Sequence, residues 1–199
     1  MTAYRKLLPT ELFRYRDHLL RLDAEDRHAR FAGTVSDDSI RRHCKGLDWT
    51  NTVVIGYFDQ GELRGASELR FESGLRPERA ELAFSIEKPF QNHGMGASLM
   101  RRALTVARNR GIETIDIICL MENRRMQRLA RKYSKYVVTE CGEVDVSIPL
   151  NRASPVSVML ETIEDGAGAV STLMDQTRGL LGFFYRDYLP PVSASGGVA

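Results

Sequence analysis

A turn in the middle of the chain, Gln91-Asn92-His93-Gly94-Met95-Gly96-Ala97, has the residue types of an anion-binding site. It follows an apolar segment at 80–86 that is typical of a β-strand, and it opens into an amphipathic segment that is typical of a helix. The two glycines let the main chain approach a ligand closely, because glycine has no Cβ. The first N–H groups of the helix and the positive end of its dipole point at the same place. The sequence therefore predicts a binding site for a phosphorylated anion.

Two common phosphate-binding motifs do not match this turn. A Walker A loop ends in Gly-Lys-Ser/Thr, whereas Gly96 is followed by Ala97 and Ser98. A dinucleotide-binding turn needs a third glycine where this chain has Leu99, and it belongs to the first βαβ unit of a domain. The turn in this chain lies mid-sequence, so neither motif explains it.

The segments that would position the turn alternate between strand and helix patterns. Strands are predicted at 4–8, 52–58, 62–71, 78–86, 114–120, 136–139 and 144–148, and helices at 10–22, 37–46, 95–110 and 123–132. The order β-α-α-β-β-β-α-β-α-β-β indicates an α+β fold with a mixed sheet.

The whole chain divides into three predicted parts. We predict a domain at 1–150, a C-terminal helical extension at 151–190 and a disordered tail at 191–199. Within the extension, 156–163 and 170–175 indicate one or two helices. The aromatic stretch at 180–189 is expected to pack on the domain or on a second subunit.

Composition excludes several classes of protein. The chain has 199 residues, 43% hydrophobic and 27% charged, which are ordinary values for a globular domain. It has no apolar run long enough for a membrane span and no signal-peptide pattern at the N-terminus. Three widely spaced cysteines indicate reduced thiols in a cytoplasmic protein and no metal site. A net charge of +2 is too small to indicate nucleic-acid binding.

The turn and its flanks resemble the Gln-x-x-Gly-x-Gly/Ala motif with which the GNAT superfamily of N-acetyltransferases binds acyl-CoA. The resemblance continues through 115–118 and 122–132 in the order of that family's core, and it is closest to the GNAT domains of bacterial protein-lysine acetyltransferases. It implies the GNAT fold: a mixed, mostly antiparallel sheet with splayed central parallel strands and helices on both faces. It also implies acetyl-CoA as a co-substrate.

The resemblance assigns residues to the two ends of acetyl-CoA. The turn would hold the pyrophosphate through main-chain N–H groups, with the Gln91 side chain nearby. His93 would either add a contact or remain exposed. The pantetheine arm would pair with the main chain of Phe84, Ser85 and Ile86. Asn123 would form a hydrogen bond with the arm. The competing interpretation is a plain helix cap, a role that Asn123 could fill at the same time.

Two carboxylates and one tyrosine are candidates for the proton-transfer steps. Glu81 is the predicted base, because the resemblance places it where the protein-acetylating branch of the family has its catalytic Glu, near the start of the strand. A half-buried carboxylate beside apolar residues can also take a proton near neutral pH. A surface ion pair is the competing interpretation, and Glu68 is the second candidate. The tyrosine that often protonates the leaving thiolate is replaced by Ala130. Tyr133, one helical turn further on, would substitute for it, pack in the core, or leave the role to water.

These observations predict an N-acetyltransferase that moves acetyl from acetyl-CoA to a primary amine by direct attack in a ternary complex. The amine would belong to a protein lysine or to a small molecule, and no nucleic acid or membrane is expected as a partner. Two alternatives stay open: an acyl-CoA sensor with weak catalysis, favoured by Ala130, and an interaction protein that acts through the extension. A homodimer through the extension is also left open.

Overall fold

A mixed β-sheet organises the chain in a computed structural model. The structure describes residues 2–74 and 76–188, and from 171 onward it describes side chains only at Leu173. The strands are β1 (Thr2–Lys6), β2 (Thr52–Asp59), β3 (Glu62–Phe71), β4 (Arg79–Ile86), β5 (Thr114–Leu120), β6 (Tyr136–Glu140) and β7 (Glu143–Pro149). The helices are α1 (Leu12–Arg21), α2 (Ala24–Phe31), α3 (Asp37–Lys45), α4 (Met95–Asn109), α5 (Arg124–Ala130) and α6 (Pro155–Tyr188).

The seven strands form one sheet in the order β1-β2-β3-β4-β5-β7-β6. Every neighbouring pair is antiparallel except β4 and β5, which are parallel. The β4–β5 pairing ends at Glu81 and Asp116, although both strands continue beyond those residues. The predicted α+β class and the splayed central strands are confirmed.

Two apolar clusters cover the two faces of the sheet. On one face, α4 packs against the central strands through buried residues that include Leu99, Met100 and Ala103. On the other face, α1 and α3 bury Tyr15, Leu19 and Ile40 against β2 and β3. Each fully buried aliphatic side chain of this kind contributes about 1.5–3 kcal/mol to folding.

Helix α2 is an element that the sequence pattern did not predict. Asp23 caps it by accepting a hydrogen bond from the N–H of Asp26 at 2.8 Å, and Ala32 ends it in a left-handed conformation with φ of 52°. None of its residues is buried, so it lacks the apolar stripe on which helix prediction depends. The cap and the acidic first turn were the available signals.

The first strand differs in detail from expectation, and the extension has the smaller of the two predicted numbers of helices. The strand predicted at 4–8 is observed at Thr2–Lys6, followed by a 3-10 turn at Pro9–Glu11. The extension is one helix, α6, where one or two were predicted. The predicted tail at 191–199 lies outside the described residues, as do the side chains of the aromatic stretch.

Polar contacts anchor the N-terminal half of α6 to β1 and α4. Lys6 pairs with Glu161 and with Asp165, the latter at 2.7 Å, and Arg102 pairs with Glu164 at 2.7 Å. The side-chain amide of Asn109 donates to the carbonyl of Ser157 at 2.9 Å. In the part of the chain that the structure describes, no helix combines the length and apolarity needed to cross a bilayer.

Candidate active site

A cavity of about 520 Å³ lies where β4 and β5 part. Residues 82–86 of β4 and 117–119 of β5 form its walls, and α2, α5 and the turn before α4 surround it. Main-chain groups of these strand residues have no partner strand across the gap, because the β4–β5 ladder stops at Glu81 and Asp116. An extended ligand could therefore pair with them as a strand would.

The turn that precedes α4 has the geometry of an anion site. Asn92 and Gly94 both have positive φ, 64° and 86°, and Gly94 stands at the N-cap of α4. The helix thus begins with the N–H groups of Met95, Gly96 and Ala97, which have no acceptor within the helix. At Gly96 an added Cβ would lie 3.4 Å from the Leu129 side chain, which is an ordinary van der Waals contact.

The side chain of Gln91 braces this turn internally. Its amide nitrogen donates to the carbonyl of Ile86 and to Oδ1 of Asp26, each at 2.8 Å, and its oxygen accepts from Arg125. The residue therefore joins β4, α2 and α5 at the mouth of the cavity. This arrangement favours a positioning role for the Gln91 side chain, while the main chain of the turn faces the cavity.

Most of the residues predicted to bind a cofactor come together around the cavity. Those that line it are Phe84, Ser85, Ile86, Gln91, Asn92, Gly94, Gly96, Ala97 and Asn123. His93 is exposed and Met95 packs against the core, and neither is part of the lining. Asn123 caps α5, since its Oδ1 accepts from the N–H of Met126 at 3.0 Å. Its contact with a ligand stays a prediction.

The charge of the lining favours an anion. Among the described residues the lining carries the basic side chains of Arg30, Arg125, Arg128 and Lys132, against the single acidic side chain of Asp26. Because Arg30 is paired with the buried carboxylate of Glu68, the excess positive charge comes from Arg125, Arg128 and Lys132. A cleft with an excess of positive charge raises the local concentration of negatively charged ligands.

Glu81 lies at the edge of the gap. It is exposed and is the last residue of β4 that pairs with β5, with Arg70 of β3 and Asp116 of β5 as its neighbours in register. Its side chain is outside the described lining of the cavity. The predicted role of Glu81 as base stays a prediction.

Glu68, the second candidate base, is 3% exposed and accepts hydrogen bonds from four charged or polar side chains. Tyr15, Arg30, His43 and Arg70 donate to it over distances of 2.6 to 2.9 Å. Burial alone would raise the pKa of this carboxyl, but the hydrogen bond from His43 and the charge of Arg30 outweigh burial and hold it well below its usual range. A carboxylate stabilised in this way is a poor proton acceptor.

The two positions that bear on protonation of the thiolate, Ala130 and Tyr133, are not part of the described cavity lining, although their neighbours Leu129 and Lys132 are. Ala130 is buried in the core, and Tyr133 is 38% exposed in the turn after α5, where its N–H donates to the carbonyl of Ala130 at 2.9 Å. Neither residue belongs to the described lining. A catalytic role for Tyr133 stays a prediction.

Sequence reasoning missed a buried polar array behind β4. His18 on α1 contacts the hydroxyl of Ser85 through Nε2 at 2.9 Å and the carboxylate of Glu87 through Nδ1 at 3.1 Å. The available signal was a histidine on the apolar face of α1, between Tyr15 and Leu19. Its partners are 67 and 69 residues away in the sequence, so the pattern of α1 alone could not identify them.

Comparison with known proteins gives a consistent result. The model of the GNAT acetyltransferase family matches residues 15–135. The curated acetyltransferase PA5475 of Pseudomonas aeruginosa is 28% identical over 120 residues, which are 58% of this chain and 64% of that protein's length. The chain thus spans less than two thirds of that relative.

Solved structures show the same fold. The GNAT domain of PAT from S. lividans superposes with a TM-score of 0.65 at 20% identity, covering 74% of this chain and 89% of that one. The putative acetyltransferase yncA of Salmonella typhimurium, solved with its cofactor acetyl-CoA, superposes with a TM-score of 0.56 at 16% identity, covering 77% and 97%.

Proposed function

The protein belongs to the GNAT family of acetyltransferases, and from that premise we propose that it transfers acetyl from acetyl-CoA to a primary amine. The amine belongs to a protein lysine or to a small molecule. The observation that carries the proposal is the cavity at the parting of β4 and β5, which opens onto the turn before α4.

The cavity fits both ends of acetyl-CoA, which is a substrate consumed in each turnover. The N–H groups at the start of α4 suit a diphosphate, and Arg125, Arg128 and Lys132 supply positive charge beside them. The unpaired main chain of β4 around Ser85 suits the amides of the pantetheine arm. Placement of this kind is the main requirement for acyl transfer, because holding the reactants in line replaces a bimolecular encounter.

In the proposed reaction the amine nitrogen attacks the thioester carbonyl directly, in a complex that holds both substrates. Glu81 is the base suggested by family resemblance, and Tyr133 or water protonates the departing thiolate. The buried cysteines Cys44 and Cys119, neither in a disulfide, support a cytoplasmic location for this reaction.

Titration calorimetry with acetyl-CoA, followed by a thiol-release screen with amines and lysine peptides, tests the function. We expect heat of binding at micromolar protein, and release of free CoA that depends on the amine. Binding without any amine-dependent release would contradict the enzyme proposal.

Glu81→Gln tests the suggested base. If Glu81 accepts the proton, turnover should fall by about 100-fold or more, because general bases typically contribute that much. The binding of acetyl-CoA should not change. Glu140→Gln, an exposed carboxylate on β6, is the matched control and should retain activity. Full turnover by Glu81→Gln would remove Glu81 from the mechanism.

A sensor of acyl-CoA without turnover is the second candidate function. The buried Ala130 at the position of the family's tyrosine, with Tyr133 outside the lining, is the observation that favours it. Calorimetric binding together with silent thiol release across the amine panel would select this candidate.

The extension suggests association with a second copy of the chain. The described part of α6 exposes Val156, Met159, Ile163, Val170 and Leu173, which recur at helical spacing. We propose a homodimer through this face. Light scattering coupled to size exclusion should show a dimer that Ile163→Glu converts to a monomer, whereas a monomeric wild-type chain would contradict the proposal.

A further inference from the structure

Ser85, a residue that lines the cavity, is one end of a buried chain of hydrogen bonds that runs through its hydroxyl. That hydroxyl lies 2.9 Å from Nε2 of His18, whose Nδ1 lies 3.1 Å from a carboxylate oxygen of Glu87. Arg21 contacts the same oxygen of Glu87, Oε1, at 2.8 Å, and Arg64 contacts the other oxygen, Oε2, at 2.9 Å. His18 is 0% exposed and Ser85 is 7% exposed, so the array excludes bulk water along most of its length.

The partners of His18 determine which of its nitrogens carries the proton. Burial alone would raise the pKa of Glu87, but hydrogen bonds from His18 and Arg21 outweigh burial and hold it below its usual range, so its carboxylate can only accept. Nδ1 of His18 must therefore be the donor. Burial also lowers the pKa of His18 below 6.5 despite the opposing influence of Glu87, so the ring is neutral near pH 7. Nε2 is then unprotonated and accepts the hydroxyl proton of Ser85.

The array ends where the strands separate. Ser85 lies on β4 beyond the last residue that pairs with β5, and it lines the cavity together with Ala83 and Phe84. His18 and Glu87 lie behind Ser85, outside the lining. The hydroxyl oxygen of Ser85 keeps a lone pair for a donor in the cavity, because its own proton is directed at His18.

We propose that Ser85, His18 and Glu87 form a proton relay that deprotonates the attacking amine. The proposal rests on the acetyl transfer described above and names Ser85, in place of Glu81, as the group that receives the amine proton, so Glu81→Gln should then retain turnover. As the new N–C bond forms and the C–S bond breaks, the amine proton passes to Oγ of Ser85 and the Ser85 proton passes to Nε2 of His18. The thiolate leaves with the electron pair of the C–S bond. His18, held as an imidazolium by Glu87, then returns its proton to solvent through Ser85 or to the thiolate.

A proton relay predicts different experimental results from two other possible roles of these residues, a structural array and a nucleophilic serine. A purely structural array that ties α1 to β4 would affect stability and leave the chemistry intact. A nucleophilic Ser85 would form an acetyl ester, whereas in the relay the serine oxygen only passes protons. The three cases therefore differ in the turnover rate of the variants, in the pH dependence of kcat/KM and in the mass of the protein after it is mixed with acetyl-CoA.

Ser85→Ala is the central test, read by amine-dependent thiol release. We expect the turnover number to fall by about 100-fold or more, with the KM for acetyl-CoA and its calorimetric affinity unchanged within about threefold. Ser67→Ala is the matched control. Ser67 is a buried serine on the neighbouring strand whose hydroxyl has no hydrogen-bond partner among the described residues, and the variant should have wild-type activity.

His18→Gln tests the relay through the pH profile of kcat/KM. A primary amine gives a slope of one against pH. Protonation of His18 should steepen the slope to two only at a pH lower than 6.5, because burial lowers the pKa of His18 from that ordinary value. The charged groups that set this pKa are Glu87, Arg21 and, through Glu87, Arg64. In the variant the steep segment should disappear and the turnover number should fall. Circular dichroism checks that the variant folds, and Ser85→Ala provides the test if it does not.

Three results would overturn the relay while leaving acetyl transfer intact. They are full turnover by Ser85→Ala, an unchanged steep segment in His18→Gln, and an acetyl group found on Ser85 by intact mass spectrometry after mixing with acetyl-CoA. A wild-type chain that binds acetyl-CoA but acetylates no amine would instead overturn the function on which the relay rests.

Discussion

At the scale of single residues, Glu68 shows how burial can remove a carboxylate from catalysis. Four donors surround it, and the pKa of the group lies well below its usual range despite the burial that opposes ionisation. Arg30, which lines the cavity, donates to this carboxylate, so the ion pair holds α2 against the sheet beside the site. Glu68 thus supports the wall of the cavity.

Glu68→Gln should therefore destabilise the fold by about 3–5 kcal/mol, because it leaves the buried charge of Arg30 without its partner. Chemical denaturation at pH 7 measures this loss. The exposed Glu140→Gln serves as control and should change stability by less than about 0.5 kcal/mol. A loss of the same small size in Glu68→Gln would show that the ion pair contributes little.

The same residue should shape the response of stability to acid. Because the folded-state pKa of Glu68 is depressed, its stabilising contribution is present above the unfolded value near 4.5 and is lost as pH falls through the folded value. The wild-type free energy of unfolding should consequently drop below pH 4.5 more steeply than that of Glu68→Gln. Parallel curves for the two proteins would contradict this assignment.

At the scale of elements, the turn before α4 depends on a left-handed glycine. Gly94 has φ of 86°, and Gly142 in the β6–β7 hairpin has nearly the same value, 85°. A Cβ added at either position would meet nothing within 4 Å. The two glycines thus pose the same conformational demand, but only Gly94 lies at the cavity.

Gly94→Ala and Gly142→Ala should each cost about 1–2 kcal/mol of stability, the penalty of a left-handed non-glycine residue. Only Gly94→Ala should weaken the binding of acetyl-CoA. The affinity should fall roughly tenfold if about 1.4 kcal/mol of binding energy is lost with the shape of the turn. Melting temperature and calorimetric affinity, measured on both variants, separate the two effects. Equal affinities for acetyl-CoA would show that the turn does not bind the ligand.

The elements also differ in how far they could be predicted from the sequence. The glycine turn, β4 and α4 were identifiable because strand alternation, helix periodicity and glycine conformation are local properties. Helix α2 was missed because it buries none of its residues, although it forms one side of the cavity through Asp26, Ala29 and Arg30. An element stabilised by its caps and its ion pairs gives little periodic signal.

At the scale of the whole molecule, the cavity and the C-terminal extension lie at different parts of the sheet. The residues that line the cavity fall between Asp26 and Lys132, whereas α6 packs at the far edge against β1 and α4. Lys6, Arg102 and Asn109 reach α6 from that edge. The extension should consequently affect the stability of the domain more than the chemistry of the site.

A chain that ends at Leu150 should retain acetyl-CoA binding and melt at least about 4 °C below the full chain, which corresponds to a loss of roughly 1–2 kcal/mol. Lys6 and Arg102 lose their partners in this variant. The full chain with Glu161→Gln and Glu164→Gln is the control, since it keeps the helix and removes ion pairs. If the truncated chain has the same melting temperature as the full chain, the contacts of α6 with β1 and α4 do not stabilise the domain.

The sequence by itself determined the strand, the glycine turn and the helix that face an anion, and the order of elements that resembles the GNAT core. Tertiary structure alone decided which groups meet Ser85, which donors surround the charged carboxylate of Glu68, and that α2 forms one side of the cavity. The physical reason is distance along the chain: backbone preferences act over a few residues and can be read locally. The environment of His18 or Glu68 is made by residues from other elements, which become neighbours only when the chain packs.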